Sequence, residues 1–146
     1  MDESRFEELA LDPTRWTTVA RKLRIAAGLL GETESAELWG HVAHTDEDLA
    51  IRSWERWVAA ISGCGILLAY AVENACKARS IRDGDISVKN GQLRGLRSDH
   101  HLVEMLRQLK VVLSVDEAAT LERLTADFTG LEHPSRAHLI TGFTVT

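Results

Sequence analysis

The chain has 146 residues, of which 45% are hydrophobic and 27% charged, and its formal net charge is −5. This composition is typical of an ordinary globular protein, and we expect one domain over residues 1–146. The negative charge argues against a general nucleic-acid binder. The first twelve residues, MDESRFEELALD, lack the basic and apolar regions of a signal peptide, so we expect a cytoplasmic protein.

The first predicted helix begins at Asp12-Pro13, because an acidic N-cap followed by proline is a typical helix start. Apolar residues then recur at helical spacing, and Gly31 predicts the end of this helix. A short second helix is expected next, capped by Thr33 or Ser35.

The most apolar stretch predicts a long central helix from about Leu49 to Arg79. One face carries a stripe at spacings of three and four: Trp54, Val58, Ile61, Gly65, Leu68, Val72 and Ala75. A second stripe runs beside it: Trp57, Ala60, Cys64, Leu67 and Ala71. A helix that is apolar on two stripes is buried on more than one side. Its uncharged run is shorter than the roughly 20 residues of a membrane span, so we expect a soluble core helix and no membrane contact.

The helical pattern ends after Arg79, and a long loop is expected over residues 80–98, with Asp85 to Lys89 as a short strand or an extended turn. Ser98 or Asp99 caps a fourth predicted helix that reaches Leu113. These signals leave the loop as the longest irregular segment, and such loops are often functional.

Ser114-Val-Asp-Glu117 is a capping box that opens a fifth predicted helix, which Gly130 ends. Pro134 and Gly142 interrupt the tail at 131–146, which nevertheless carries four apolar residues able to pack on the body or on a partner: Leu139, Ile140, Phe143 and Val145. Every well-defined element is helical, so we predict an all-α bundle of four to five helices around the central helix.

No metal site or cofactor is expected. His41 and His44 have a spacing that can hold a metal on a helix, but no acid lies at the matching spacing. Cys64 and Cys76 lie twelve residues apart on one predicted helix, about 18 Å, which is too far for a disulfide. We interpret them as reduced packing residues.

Basic residues concentrate between positions 77 and 97: Lys77, Arg79, Arg82, Lys89, Arg94 and Arg97. Two interpretations stay open for this segment. It is either a solvated loop with cations at a helix end, or a patch that binds a phosphate group, a short RNA or an acidic protein.

The order of these elements resembles the HEPN superfamily of small helical bundles. The resemblance covers about residues 60–130: the helix GILLAYAVENACKAR, a glycine-containing loop, the segment DHHLVEMLRQL and the capping box. It implies an interaction module, or a nucleotide- or RNA-binding module without catalysis, of the kind found in toxin–antitoxin and defence systems. It also implies a homodimer. An aromatic-proline segment follows the last helix in many relatives, whereas this chain has Gly130-Leu-Glu-His-Pro134.

The resemblance points to Tyr70, Glu73 and Lys77 as binding residues, and the basic segment adds Lys89 and Arg97. Glu73 and Lys77 are also spaced as an ordinary helical ion pair. Alternatively, Glu73 and its neighbour Asn74 form a partly buried hydrogen-bonding centre.

A metal-independent ribonuclease is the alternative function. Catalytic HEPN proteins carry an arginine followed, after four to six residues, by a histidine, and five residues separate Arg94 from His100. A histidine can accept the proton of a ribose 2′-hydroxyl while an arginine stabilises the phosphate charge. His100 has a second interpretation as a residue before a helix that hydrogen-bonds across the bundle.

Overall fold

The computed structural model describes residues 3–43, 46–95 and 100–132, with side chains over 4–32, 46–95 and 100–126. In this part of the chain the helices are α1 (Glu3–Ala10), α2 (Pro13–Ala43), α3 (Glu47–Arg82), α4 (Leu102–Gln108) and α5 (Val115–Glu132). Two short antiparallel strands, β1 (Ser87–Lys89) and β2 (Gln92–Arg94), lie between α3 and α4. The predicted all-α class and the long central helix, α3, are confirmed.

Helices α2 and α3 form an antiparallel pair that dominates the fold. Leu30 lies against Gly63, where an added Cβ would be 3.1 Å from its Cδ1 atom. Lys77 lies over the ring of Trp16. In both contacts the two residue numbers add up to 93. A constant sum is what two antiparallel helices show when they keep one register along their length.

The predicted break at Gly31 is wrong, because α2 continues to Ala43 and includes the segment predicted as a separate helix from Thr33 or Ser35. A glycine inside a helix costs only about 1 kcal/mol relative to alanine. Packing along α3 offsets that cost. The start is as predicted, because the Asp12 carboxylate accepts a hydrogen bond from the backbone of Thr14 at 2.9 Å.

Both ends of α3 follow local signals. The Asp46 carboxylate accepts the backbone N–H of Leu49 at 3.1 Å, and two acids in the first turn favour the helix dipole. At the other end Gly84 has a φ of +80°, and its N–H donates to the carbonyl of Ile81. The N–H of the next residue, Asp85, donates to the carbonyl of Ser80. This Schellman motif places the helix end at Arg82, three residues beyond the predicted end at Arg79.

The predicted loop over residues 80–98 contains the last turn of α3 and a β-hairpin. Asn90 and Gly91 both have positive φ, as a two-residue type I′ turn requires. Val88 pairs with Leu93 on the half-buried face of the hairpin. Of the two alternatives for residues 85–89, the short strand is present over Ser87–Lys89, and its pairing with β2 was not predicted.

Helix α4 is shorter than predicted, because it begins at Leu102 and ends at Gln108 instead of running from Ser98 or Asp99 to Leu113. Lys110 adopts a left-handed φ of +58°. The N–H of the next residue, Val111, donates to the carbonyl of Leu106, which completes a Schellman motif at the end of α4.

The capping box is confirmed: the hydroxyl of Ser114 accepts the N–H of Glu117, whose carboxylate accepts the N–H of Ser114. Helix α5 passes Gly130 and extends to Glu132, so the predicted end at Gly130 is wrong. The rest of the predicted tail, residues 133–146, lies outside the described residues.

The core lies between the C-terminal half of α3 and the two short helices α4 and α5, and its buried members are Ala69, Cys76, Leu102, Val103, Met105 and Leu121. Trp54 was expected in the core and is instead 46% exposed. By length and composition α3 also meets the criteria for a membrane-spanning helix, with a mean hydropathy of 1.5 over its apolar window. Of that window 28% is buried, and core helices of soluble proteins meet the same criteria.

We expect Gly95→Ala to destabilise the protein by at least about 1 kcal/mol, because φ is +108° and a Cβ would meet the carbonyl oxygen of Asp85. Gly28→Ala is the matched control. It lies in α2 with no atom within 4 Å of its added Cβ, and should stabilise the protein by up to about 1 kcal/mol. Urea denaturation followed by circular dichroism measures both. Equal effects of the two substitutions would contradict this account of the turn.

Candidate functional site

The carboxylate of Glu73 is the centre of the candidate site. Its side chain is 9% exposed and projects from α3 directly after the uncharged run that ends at Val72. Oε1 accepts a hydrogen bond from Lys77 Nζ at 2.6 Å, and Oε2 lies 2.8 Å from His100 Nδ1. An ionised carboxylate only accepts, so Nδ1 of His100 carries the proton in this contact.

His100 reaches Glu73 from the segment before α4, and its backbone has a φ of +57°. That left-handed conformation is uncommon for a residue other than glycine and costs about 1 kcal/mol or more. The contact with Glu73 and the burial of Leu102, two residues later, hold it there. The backbone N–H of Leu102 donates to the hydroxyl of Thr125, which connects the same segment to α5.

Lys77 connects the site to α2. Its ammonium group lies 5.0 Å from the ring centroid of Trp16, within the range of a cation–π interaction. The indole N–H of Trp16 donates to the carbonyl of Ala10 at 2.8 Å, which fixes the ring at the end of α1. Four elements therefore meet around one carboxylate: α1, α2, α3 and the segment entering α4.

Burial of Glu73 favours its neutral form, but hydrogen bonds from Lys77 and His100, together with their positive charges, outweigh burial and lower the pKa. The neighbouring thiol behaves in the opposite way. Burial and the negative charge of Glu73 raise the pKa of Cys76 to about 11, so the thiol is protonated near neutral pH and does not act as a nucleophile.

Of the residues predicted for the site, the structure brings Glu73, Lys77 and His100 into direct contact. The predicted ion pair between Glu73 and Lys77 is confirmed, and so is the partly buried hydrogen-bonding centre, because Asn74 is buried and its side chain donates to the carbonyl of Tyr70. Tyr70 lies on the same side of α3 and is 41% exposed. The cross-bundle hydrogen bond considered for His100 is also confirmed.

The other predicted residues lie on or beyond the hairpin. Lys89 and Arg94 are exposed on its strands, and Arg94 donates to the side chain of Gln92 at 2.7 Å. Arg97 lies outside the described residues, as do the side chains of His41 and His44. Within the described ranges, no three His, Cys, Asp or Glu side chains are grouped so as to hold a metal ion.

Trp16 and Thr125 belong to the site and were missed as functional neighbours. Trp16 is one of the apolar residues that recur at helical spacing in the first predicted helix, and nothing in that spacing shows that it faces a lysine 61 positions away. The contact between Glu73 and His100 likewise spans 27 positions. A clue was present in the sequence, because Glu73 directly follows a long uncharged run and a buried charge needs partners.

Comparison with protein-family models, with curated proteins and with solved structures found no match to this chain. The resemblance to the HEPN superfamily therefore stays a prediction.

Glu73→Gln should cost about 1–3 kcal/mol of unfolding free energy at pH 7, because a buried amide leaves Lys77 and His100 poorly paired. A carboxylate with a lowered pKa stabilises the folded state at neutral pH and loses that contribution as the pH falls below 4.5, the ordinary value, towards its folded pKa. The stability gap between wild type and variant should therefore narrow between pH 6 and pH 3.

Urea denaturation at several pH values measures this gap. Glu55→Gln is the matched control, because Glu55 is exposed on the same helix and its substitution should have little effect. A gap that stays constant down to pH 3 would contradict the ionised, hydrogen-bonded state of Glu73.

Proposed function

We propose that this chain is a non-catalytic, HEPN-like helical interaction module of the cytoplasm that binds RNA through one face of its β-hairpin. The observation that carries the proposal is the arrangement of that face. The outward side chains of the two strands are Ser87, Lys89, Gln92 and Arg94. None of them is acidic, although the chain as a whole has a net charge of −5.

The hairpin presents its two cations in a fixed relation. Lys89 pairs with Gln92, and Ser87 pairs with Arg94, so the two cations occupy diagonal positions on one face. Diagonal neighbours in an antiparallel pair lie about 7 Å apart, which allows both to contact one phosphate backbone. Hydroxyl and amide groups complete the face and bind sugar and phosphate oxygens.

Binding without catalysis is favoured by the partners of the proposed nuclease residues. Arg94 donates to Gln92 on the hairpin, whereas His100 is engaged by Glu73 in the bundle. Lys77 is shared between Glu73 and the ring of Trp16. A histidine whose ring is held by a structural carboxylate supports an architectural role better than proton transfer with Arg94.

Single-stranded RNA should bind weakly and with a clear salt dependence. In Lys89→Gln/Arg94→Gln the slope of log K against log salt should flatten by about 1.4, since each lost phosphate contact contributes about 0.7. Fluorescence anisotropy with a labelled RNA measures the slope. The charge-matched control is Arg24→Gln/Arg123→Gln, on the exposed sides of α2 and α5, and should keep the wild-type slope.

The same samples separate binding from cleavage. RNA should be recovered intact after incubation with the wild-type protein in chelator. Cleavage that leaves 2′,3′-cyclic phosphate ends and disappears in His100→Ala would replace this proposal with the metal-independent ribonuclease. An unchanged salt slope in the hairpin double variant would show that RNA does not bind this face.

Pairing of two copies belongs to the same proposal, and α2 offers a self-complementary surface for it. Lys22, Ile25, Leu29 and Glu32 recur at spacings of three and four and are all exposed. In an antiparallel pairing about a two-fold axis near position 27, Ile25 of one copy lies opposite Leu29 of the other, and Lys22 lies opposite Glu32. Apolar contacts are then flanked by two symmetric ion pairs.

Light scattering at micromolar protein should give twice the chain mass, and Leu29→Asp should give a monomer, because two aspartates then meet the apolar centre. The control is Val112→Asp, which places the same charge on a residue that is 95% exposed elsewhere and should stay dimeric. A monomeric wild-type protein would contradict the pairing.

A further inference from the structure

The apolar stripe of α3 is covered along only half of its length. Towards the C-terminal end, Val72 and Cys76 pack against the core formed with α4 and α5. Towards the N-terminal end the stripe is more exposed, and we extend it there to Ile51 and call it the open stripe: Ile51 is 49% exposed, Trp54, whose ring contacts Trp57, 46%, and Ile61 42%. The adjacent stripe with the buried Ala60 packs on α2, so the open half lies beside that contact.

The direction of α4 follows from three contacts, and the direction of α5 follows from that of α4. Helix α4 starts next to Glu73, because His100, two residues before the helix, contacts the carboxylate of Glu73. It ends where the side chain of Gln108 donates to the carbonyl of Gly95. Gly95 lies against Asp85, beyond the end of α3. Helix α4 therefore runs in the same direction as α3.

Helix α5 runs in the opposite direction. Thr125 accepts the N–H of Leu102 at the start of α4, whereas Leu113 and Leu121 line a groove at the other end of the α4–α5 pair. Helix α5 thus returns along α3 towards its N-terminal half, in the direction of the open stripe.

The end of α5 coincides with the edge of this stripe. Thr125 lies beside Leu102, two residues after His100, and therefore close to the level of Glu73 on α3. The seven residues from Thr125 to Glu132 advance about 10 Å, which is the rise of seven residues of α3. The described part of α5 therefore ends near the level of Ile66, where the cover stops.

Fourteen residues follow Glu132, and their composition suits the open stripe. The last eight, LITGFTVT, carry no charge and include Leu139, Ile140, Phe143 and Val145. An extended chain advances about 3.3 Å per residue, so the six residues before Leu139 span up to about 20 Å. The open stripe from Ile61 to Ile51 is about 15 Å long and lies within that reach.

We propose that the apolar C-terminal segment of this chain, Leu139 to Val145, docks on the open stripe of α3 formed by Ile51, Trp54 and Ile61. The segment is attached at the edge of the stripe, so its effective concentration there is in the millimolar range. That favours the chain's own tail over a second molecule. The docked segment would continue the layer that α4 and α5 form over the C-terminal half of α3. It would bury the three most exposed large apolar side chains in the N-terminal half of α3.

Hydrogen exchange of the full chain, followed by mass spectrometry of its C-terminal peptide, tests this proposal. Amides of residues 139–145 should exchange at least about tenfold more slowly than in an unprotected peptide, because docking removes them from water. Ile61→Asp should return them to within about twofold of the unprotected rate. Phe143→Asp should do the same from the other side of the contact, and it leaves the described core untouched.

Val112→Asp is the control, since it places the same charge on an exposed apolar residue away from the open stripe and should leave the protection intact. Circular dichroism confirms that Ile61→Asp keeps its helical content. Unprotected wild-type amides would overturn the proposal, and so would protection that survives both Ile61→Asp and Phe143→Asp. Protection that is lost on dilution from 20 to 0.5 μM protein would assign the stripe to a second copy and overturn docking within one chain.

Discussion

The buried carboxylate of Glu73 is the constraint on which the arrangement of the bundle depends. It lies on α3 at the end of a long uncharged run, and it is held by Lys77 and His100. Removing a charge from water is costly unless it is paired and hydrogen-bonded. Satisfying it requires Lys77 to fold back along α3 and His100 to adopt a left-handed backbone. The position of the segment entering α4 is set by this requirement.

The same carboxylate organises its surroundings beyond direct contact. Because Lys77 is drawn to Glu73, its ammonium group lies over Trp16, which ties α2 to α3 by polar as well as apolar contacts. Because the chain turns at His100, Leu102 enters the core and its N–H meets Thr125. A buried polar centre of this kind discriminates between packings of the helices, since a shifted register leaves a charge without partners.

Local signals in the sequence predicted the parts of the fold that are determined locally. The Asp12-Pro13 start of α2 and the Ser114–Glu117 capping box both act through hydrogen bonds within three residues, and both are present. The hairpin was equally local: Asn90-Gly91 between Val88 and Leu93 is a strong type I′ signal, and it was overlooked. The ion pair between Glu73 and Lys77 was predictable for the same reason, because the two residues are four positions apart on one helix.

Other features depend on contacts distant in the chain, and no window of sequence contains them. Gly31 is a helix terminator in isolation, but α2 passes through it because the adjacent Leu30 packs on Gly63 of α3. The partner of Glu73 lies 27 positions away on a segment whose own pattern predicts a helix at Ser98 or Asp99. The exposure of Trp54 was also unpredictable, since its spacing is that of a core residue and its exposure depends on which distant elements pack beside α3.

The division between a structural centre and a binding face follows from how each cation is used. A cation that neutralises a buried carboxylate cannot also bind a phosphate unless that carboxylate gives up a partner, which is unfavourable in a poorly solvated site. Lys77 is committed in this way, and Nδ1 of His100 is engaged by the same carboxylate. The hairpin cations are different, because Arg94 has a neutral partner in Gln92, and Lys89 lies on an exposed strand free of acidic residues. Under the proposed function, phosphate binding at the hairpin would leave the centre of the bundle undisturbed.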